Sequence, residues 1–399
     1  MTGRNGGRSS VRRGFVALLI VLFGWFVWQF ALTLPTLGAH RTLVDFDAFY
    51  IVGQLVAEGR AAEAYDPAAM AAIQRGLVGH EGFMPWTYPP QFDLIAAALP
   101  LLPRGLAYAL FTGATLAAYL WLLARLAGPA LAEVLLAFAP PIYVSITIGQ
   151  NSFLTGALMA GFVLLTLRGR SAAGWPLGLL VIKPHLGIGL GVHALFAGRW
   201  LVLAIAVAIA LASGLLASWI LGPGIWTAFG EGLDVAGRAL AVEFYPFVRM
   251  TSVYALLHTL GVPSPLALGG QIAVALAACG AVGWAVLKGL ALRHTLAIAC
   301  FASALVSPYL YDYDMTIVGV GFALIARELI ARTSAVERVL LLLLAWVAGG
   351  WGMVHALATN GMDWADRAAV FRASVSFGAA AYLLLLALSA RILARPEAP

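Results

Sequence analysis

Long apolar runs separated by short polar breaks make up most of this chain. A transmembrane helix needs about 20 mainly apolar residues. Twelve stretches meet or approach that length: Gly14–Leu34, Pro89–Leu102, Gly105–Ala124, Pro129–Ile148, Ser152–Leu167, Ala172–Phe196, Trp200–Leu221, Pro265–Leu287, Thr295–Val306, Tyr309–Ala326, Val339–Leu357 and Ala373–Leu393. The second and ninth are short, as expected of tilted, re-entrant or stacked elements. The pattern predicts an all-α, polytopic transmembrane helix bundle of about 12 segments, a single integral membrane domain over residues 1–399.

Two polar stretches are too long to be tight turns, Pro35–Tyr88 and Gly222–Ser264. In the first, Phe49, Ile51, Val52, Leu55 and Val56 recur at helical spacing, and Ala61–Gln74 continues in helix formers punctuated by Asp66-Pro67. Two short amphipathic helices lying at the membrane surface are expected there.

Composition agrees with the pattern. Of 399 residues, 62% are hydrophobic and only 11% charged, against about 25% charged in soluble domains. The net charge of +6 is spread along the ends of apolar runs, where the positive-inside rule and anionic headgroups account for it, so no nucleic-acid partner is expected. The run from Phe15 is too long for a signal-peptide core. It reads as a retained span in a multi-pass inner-membrane protein with both termini cytoplasmic and residues 35–88 and 222–264 outside. Arg168 and Arg170 then fall on the outer side, unless Pro89–Leu102 does not cross. The cysteines, Cys279 and Cys300, sit in apolar runs as small hydrophobes. No histidine spacing suits a metal, and neither metal nor cofactor is expected.

Against this background a few polar residues stand out. Asp45 and Asp47 follow the first span beside Phe46, Phe49 and Tyr50. A carboxylate at a lipid–water boundary can act as general base toward a hydroxyl, or simply end a span; the aromatic rings favour a partly dry pocket. Tyr88-Pro89-Pro90 is either a rigid helix start or the mouth of a cavity. Lys183-Pro184-His185 falls mid-segment, where lysine costs about 2.5–3.5 kcal/mol on insertion scales and proline breaks the helix. That lysine is expected to face a water-filled cavity and meet a phosphate or pyrophosphate. Tyr311, Asp312 and Asp314 repeat the aromatic-acid texture, as an interfacial tyrosine belt, or as acids that bind sugar hydroxyls or a metal or assist the base. Gln150 and Asn151 are a hairpin turn or a hydrogen-bonding patch. Glu243, Tyr245 and Arg249 are weaker candidates.

Taken in order, Asp45–Tyr50, Gly59, Tyr65-Asp66, Tyr88-Pro89-Pro90 with Leu99-Pro100-Leu101-Leu102-Pro103, Gly149-Gln150-Asn151, Lys183-Pro184 and Ser307-Pro308 with Asp312 resemble glycosyltransferase family 87. These are membrane transferases of GT-C type that include polyprenyl-phosphate-mannose-dependent bacterial mannosyltransferases. The resemblance implies inverting transfer of a hexose from a polyprenyl-phosphate donor to a hydroxyl on a lipid or glycan acceptor at the outer face. Asp45 matches the family's catalytic base. Asp47, Tyr50, Tyr88, Gln150, Asn151, Lys183, His185, Tyr311, Asp312 and Asp314 are then expected to bind substrate. Many relatives read Trp-Asp-His-His where this chain reads Tyr311-Asp312-Tyr313-Asp314, so the resemblance carries no sugar identity. The competing expectation is a transporter or flippase for a lipid-linked or small polar substrate, which the mid-membrane Lys183-Pro184 break suits.

Overall fold

The computed structural model describes residues 43–78, 83–241, 244–359 and 361–395, with isolated positions in the first apolar run. The segment Gly14–Leu34 therefore lies largely outside the described residues, although the Trp25 and Tyr143 rings approach to 5.2 Å.

The first polar stretch folds into helices. In α1 (Asp45–Ala57) the Asp47 carboxylate accepts the Val44 N–H at 3.0 Å, and both acids occupy the first turn, where the helix dipole favours them. The helix stops in a Schellman motif. Gly59 at φ 73 lets Arg60 N–H reach the Leu55 carbonyl at 2.8 Å. Asp66 then caps α2 (Pro67–Val78), accepting the Ala68 N–H at 2.9 Å with Pro67 at the first helical position. α3 (Pro90–Ala96) starts at the second proline of the Tyr88-Pro89-Pro90 run and packs on α1. The two approach so closely at Gly53 that a Cβ there would collide with the Ala96 carbonyl.

Beyond this cap the elements run α4 (Arg104–Ala127), α5 (Leu131–Ala137), α6 (Ala139–Ile148), α7 (Ser152–Leu167), α8 (Gly174–Leu179), α9 (Ile188–Phe196), α10 (Trp200–Leu221), α11 (Ile225–Ala241), α12 (Val253–Thr259), α13 (Ser264–Leu287), α14 (Leu292–Val306), α15 (Thr316–Arg332), α16 (Ala335–Ala358), α17 (Trp364–Ala373) and α18 (Gly378–Leu393). No strand occurs among the described residues; an isolated bridge pairs Met250 with Tyr311. α15 is the hub. It is buried nearly all round and packs against α4, α7, α14 and α18. By contrast, Leu211, Leu215 and Trp219 on α10 form one exposed apolar face, as a lipid-facing helix requires.

The expected count of about 12 spans is not what the helices show. Among the described residues, four are long and apolar enough to cross a membrane, Arg104–Ala137, Trp200–Leu221, Ser264–Leu287 and Ala335–Ala358, and a fifth arises if Asp366–Ala373 and Gly378–Leu393, bent by 42°, count as one. Several expected spans are shorter apolar helices, broken at Pro140-Pro141 and Pro184. Proline removes a backbone donor and clashes with the preceding turn. Pro89–Leu102 is only α3 plus a 3-10 turn. Because Arg104, at the start of α4, bonds Asp47 at the start of α1, that segment ends on the side where it began. This correction returns Arg168 and Arg170 to the basic end, where Arg199 donates to the Thr166 and Arg170 carbonyls at 3.3 and 3.2 Å. Arg293 likewise caps carbonyls of Leu126 and Leu324 at that end.

Of the small residues Gly187, Gly189 and Gly191, only Gly189 sits where a Cβ would strike another helix, at the Ala299 carbonyl of α14.

Candidate functional site

At the end opposite Arg199 and Arg293, three reversals of the chain bring polar groups inward. The α6–α7 turn supplies Gln150 and Asn151, the break before α9 supplies Lys183, and the α14–α15 turn supplies Tyr311 to Asp314. Asp45 stands at the N-terminus of α1 among them.

Asp45 Oδ1 accepts the Gln150 side-chain N–H at 3.0 Å. Gln150 Oε1 in turn accepts the Tyr88 hydroxyl and the Asn151 backbone N–H, each at 2.8 Å. Burial raises the Asp45 carboxyl above its usual range, against the pull of Arg249 and Lys183. Burial also pushes the Tyr88 phenol up, so it remains a neutral donor. The Asn151 side chain is fully buried beside Tyr88, and its amide atoms otherwise meet no partner among the described residues.

Lys183 is buried, as its position predicts, but the anion it meets is Asp314, at 2.8 Å. Its ammonium also lies over the Tyr313 and Tyr88 rings at 5.1 and 5.7 Å. A second pair faces it. Arg249 donates through Nε and Nη2 to Asp312 at 3.2 and 3.0 Å, over the stacked Tyr311 and Tyr313 rings. Burial works against the Arg249 charge, and the Asp312 carboxylate more than offsets it, so the guanidinium is held charged. His185 is half-buried and near enough to Lys183 to feel its charge.

Two expected site residues are turned to other work. The Asp47 carboxylate is fully buried and held by Val44 N–H and Arg104, with Arg104 Nε at 2.9 Å. The Tyr50 hydroxyl donates to the Leu102 carbonyl at 3.1 Å. Neither joins the Asp45 cluster. Of the weaker candidates, Glu243 lies outside the described residues, Tyr245 packs its ring on Tyr309, and Arg249 is central.

Sequence reasoning passed over three residues. Asp93, in an apolar segment, is fully buried and accepts Tyr65 hydroxyl and Trp86 indole N–H, each at 2.9 Å. Those bonds tie the first loop to α3, and burial lifts the Asp93 carboxyl to about 7. Its signal was an acid three residues past the second of two prolines in a largely apolar run. Gly352 leaves room for the second ion pair, since a Cβ there would lie 2.6 Å from both Asp312 Oδ2 and Arg249 Cγ. Tyr313 presents its ring to both cations and appeared in sequence only as part of a tyrosine belt.

Chemically, one half-buried carboxylate faces two cations, the buried Lys183 and the part-buried Arg249, each already carrying a carboxylate partner. An ammonium has three donors and a guanidinium five, so Lys183 and Arg249 Nη1, which meets no acceptor among the described residues, retain capacity for a further anion. A cavity of about 330 Å³ lies elsewhere, between α5, α15 and α16, lined by Phe138, Phe322, Leu341 and Arg338.

The family model of glycosyltransferase family 87 matches residues 86–308, more than half of the chain. It includes Tyr88, Gln150, Asn151, Lys183 and Arg249, whereas Asp45, Asp312 and Asp314 lie outside it. No curated protein and no solved structure matches the chain. With that match and its apolar helices, the chain belongs to glycosyltransferase family 87, as a multi-pass membrane glycosyltransferase.

Proposed function

We propose that this protein transfers a hexose from a polyprenyl-phosphate donor to a hydroxyl of a lipid or glycan acceptor, with inversion and with Asp45 as general base. The observation that carries this reading is the convergence on Asp45 of two cations from distant segments, Lys183 and Arg249. A phosphate leaving group needs charge neutralisation more than protonation, and a single base suffices for one displacement.

In the reaction the Asp45 carboxylate takes the proton of the acceptor hydroxyl. The acceptor oxygen bonds to the anomeric carbon from the face opposite the phosphate. The carbon–oxygen bond to phosphate breaks, and its electron pair leaves with the polyprenyl phosphate, whose added charge falls to Lys183 and Arg249. Asp314 and Asp312 hold those cations in place beforehand. Asn151 and the tyrosine rings are suited to sugar hydroxyls and faces. The basic helix ends lie opposite Asp45, so the positive-inside rule puts this chemistry on the outer face. The transporter reading has no comparable support, because the break at Lys183 is accounted for by its pair with Asp314.

The test uses purified protein in nanodiscs with polyprenyl-phosphate mannose and polyprenyl-phosphate glucose as donor probes. Proton NMR of the product should show the anomeric configuration opposite to that of the donor. A retained configuration, or transfer from a nucleotide sugar alone, contradicts the reading.

A further inference from the structure

Gln150 carries an inference that rests on the reading of Asp45 as the base. A glutamine amide can be drawn in either of two orientations, and its surroundings must choose between them. Here the Tyr88 hydroxyl and the Asn151 N–H both approach the same atom at 2.8 Å. Two donors require an acceptor, so that atom is the oxygen, and Nε2 is obliged to donate toward Asp45 Oδ1 at 3.0 Å. Burial keeps Tyr88 neutral, so the hydroxyl remains a donor over the working pH range.

The backbone beneath Gln150 is equally constrained. Gly149 has φ 65, and a Cβ there would lie 2.6 Å from Phe46 Cβ and 2.7 Å from the Tyr108 ring. Gln150 N–H closes the turn on the Ser145 carbonyl at 3.1 Å. Phe46 is the chain neighbour of Asp45, so the turn that carries Gln150 and the helix that carries Asp45 are packed as one unit.

We propose that Gln150 is the positioning residue of Asp45. Its Nε2 holds Oδ1 of the ionised carboxylate and leaves Oδ2 as the oxygen that takes the acceptor's proton. A hydrogen bond to the charged form also favours that form, which opposes the effect of burial on a base that must be ionised to act. The other groups facing Asp45 are Lys183 and Arg249, which favour ionisation, Asp312, which opposes it, and the neutral phenols of Tyr88, Tyr311 and Tyr313.

The test reads Asp45 directly. Infrared titration of the protein in nanodiscs follows the carbonyl band of the protonated carboxyl, assigned by its loss in Asp45→Asn. Gln150→Met keeps the length and removes the donor, and the Asp45 midpoint should rise. Gln150→Glu sets a second carboxylate against the first. The midpoint should then rise by more than about one pH unit, since two carboxylates sharing a site do not both ionise readily. With polyprenyl-phosphate mannose and glucose as probes, the acid limb of kcat should move up in step while KM for the donor stays near wild type. An unchanged midpoint in Gln150→Met overturns the proposal, even if Gln150→Glu does not fold. So does a fall in rate at all pH values with the acid limb unmoved, which is what a merely structural glutamine would give. The two readings fail separately. Transfer that survives in Asp45→Asn ends the base assignment and leaves the Gln150–Asp45 titration coupling standing. Loss of transfer in Asp45→Asn with an unmoved midpoint in the Gln150 variants ends the positioning role alone.

Discussion

The two polar ends of this bundle use charge in different ways. At the basic end, Arg199 and Arg293 donate to backbone carbonyls at helix ends, and Arg395 pairs with Glu337 near the surface. Such contacts are local and partly hydrated, and each satisfies groups that a helix terminus leaves open. At the Asp45 end the charges are buried and held mainly by other side chains. Lys183 meets Asp314, and Arg249 meets Asp312, across 131 and 63 residues of sequence. Burying an ion pair is seldom a net gain in stability over well-packed apolar residues. Its presence here is better explained by what those charges do than by what they hold together.

The comparison breaks or sharpens on a graded set of substitutions. The largest effect is expected from the charge-neutral double variant Lys183→Met with Asp314→Asn. It removes both charges of a buried pair, so thermal stability should stay near wild type or rise. Transfer from polyprenyl-phosphate donors should fall on the order of 10³-fold, the scale of losing a preorganised electrostatic contact. A parallel loss of stability and activity would instead make the pair structural.

Arg104→Ala removes a charge partner of the buried Asp47 carboxylate and should destabilise the protein by about 3 kcal/mol in denaturant unfolding, the low end for a broken buried pair because Arg104 is partly exposed. Asp47→Asn with Arg104→Met should recover most of that loss. Gly352→Ala puts a Cβ against the Arg249 backbone and Asp312, and overpacking of this kind costs about 1–3 kcal/mol. It should reduce transfer more than it reduces thermal stability.

A pH effect comes next. Asp93 sits at about 7 in the folded chain against an ordinary value of 3.8, so the folded state binds the extra proton between those values. Its stabilising contribution is present in full below about 3.8 and is lost as pH rises through about 7. Asp93→Asn should flatten that part of the stability–pH curve. The smallest effect is expected at the basic end. Arg199→Met should cost about 1 kcal/mol and leave transfer unchanged, as the loss of hydrogen bonds to carbonyls implies.

How much of this was written in the sequence depends on distance along the chain. The helices of the first loop were legible because α1 and α2 are fixed by local signals, the Asp45–Asp47 start, Gly59 and Asp66-Pro67. The span count was not. Hydropathy sees an apolar run, and it does not see that Pro141 and Pro184 divide such runs into short helices buried in protein. In the candidate site, Lys183 was visible as a charge in an apolar segment, but its partner Asp314 was not, since nothing local links them. Arg249 was underweighted for the same reason: it sits in a long loop without a motif and becomes central only through the Met250–Tyr311 bridge. Asp47 drew attention by standing two residues from Asp45, but two residues are just over half a turn of α1, which carried it to the opposite face and to Arg104 instead.

The most direct measurement is transfer by Asp45→Asn, which keeps the shape of the side chain and removes its basicity. With polyprenyl-phosphate mannose and glucose as probes, kcat should fall at least about 10²-fold, the lower scale of general base catalysis, while binding of the donor is retained. The variant should also be no less stable than wild type at neutral pH, because burial disfavours the ionised carboxylate. Transfer within twofold of wild type, from either donor, would contradict Asp45 as the base.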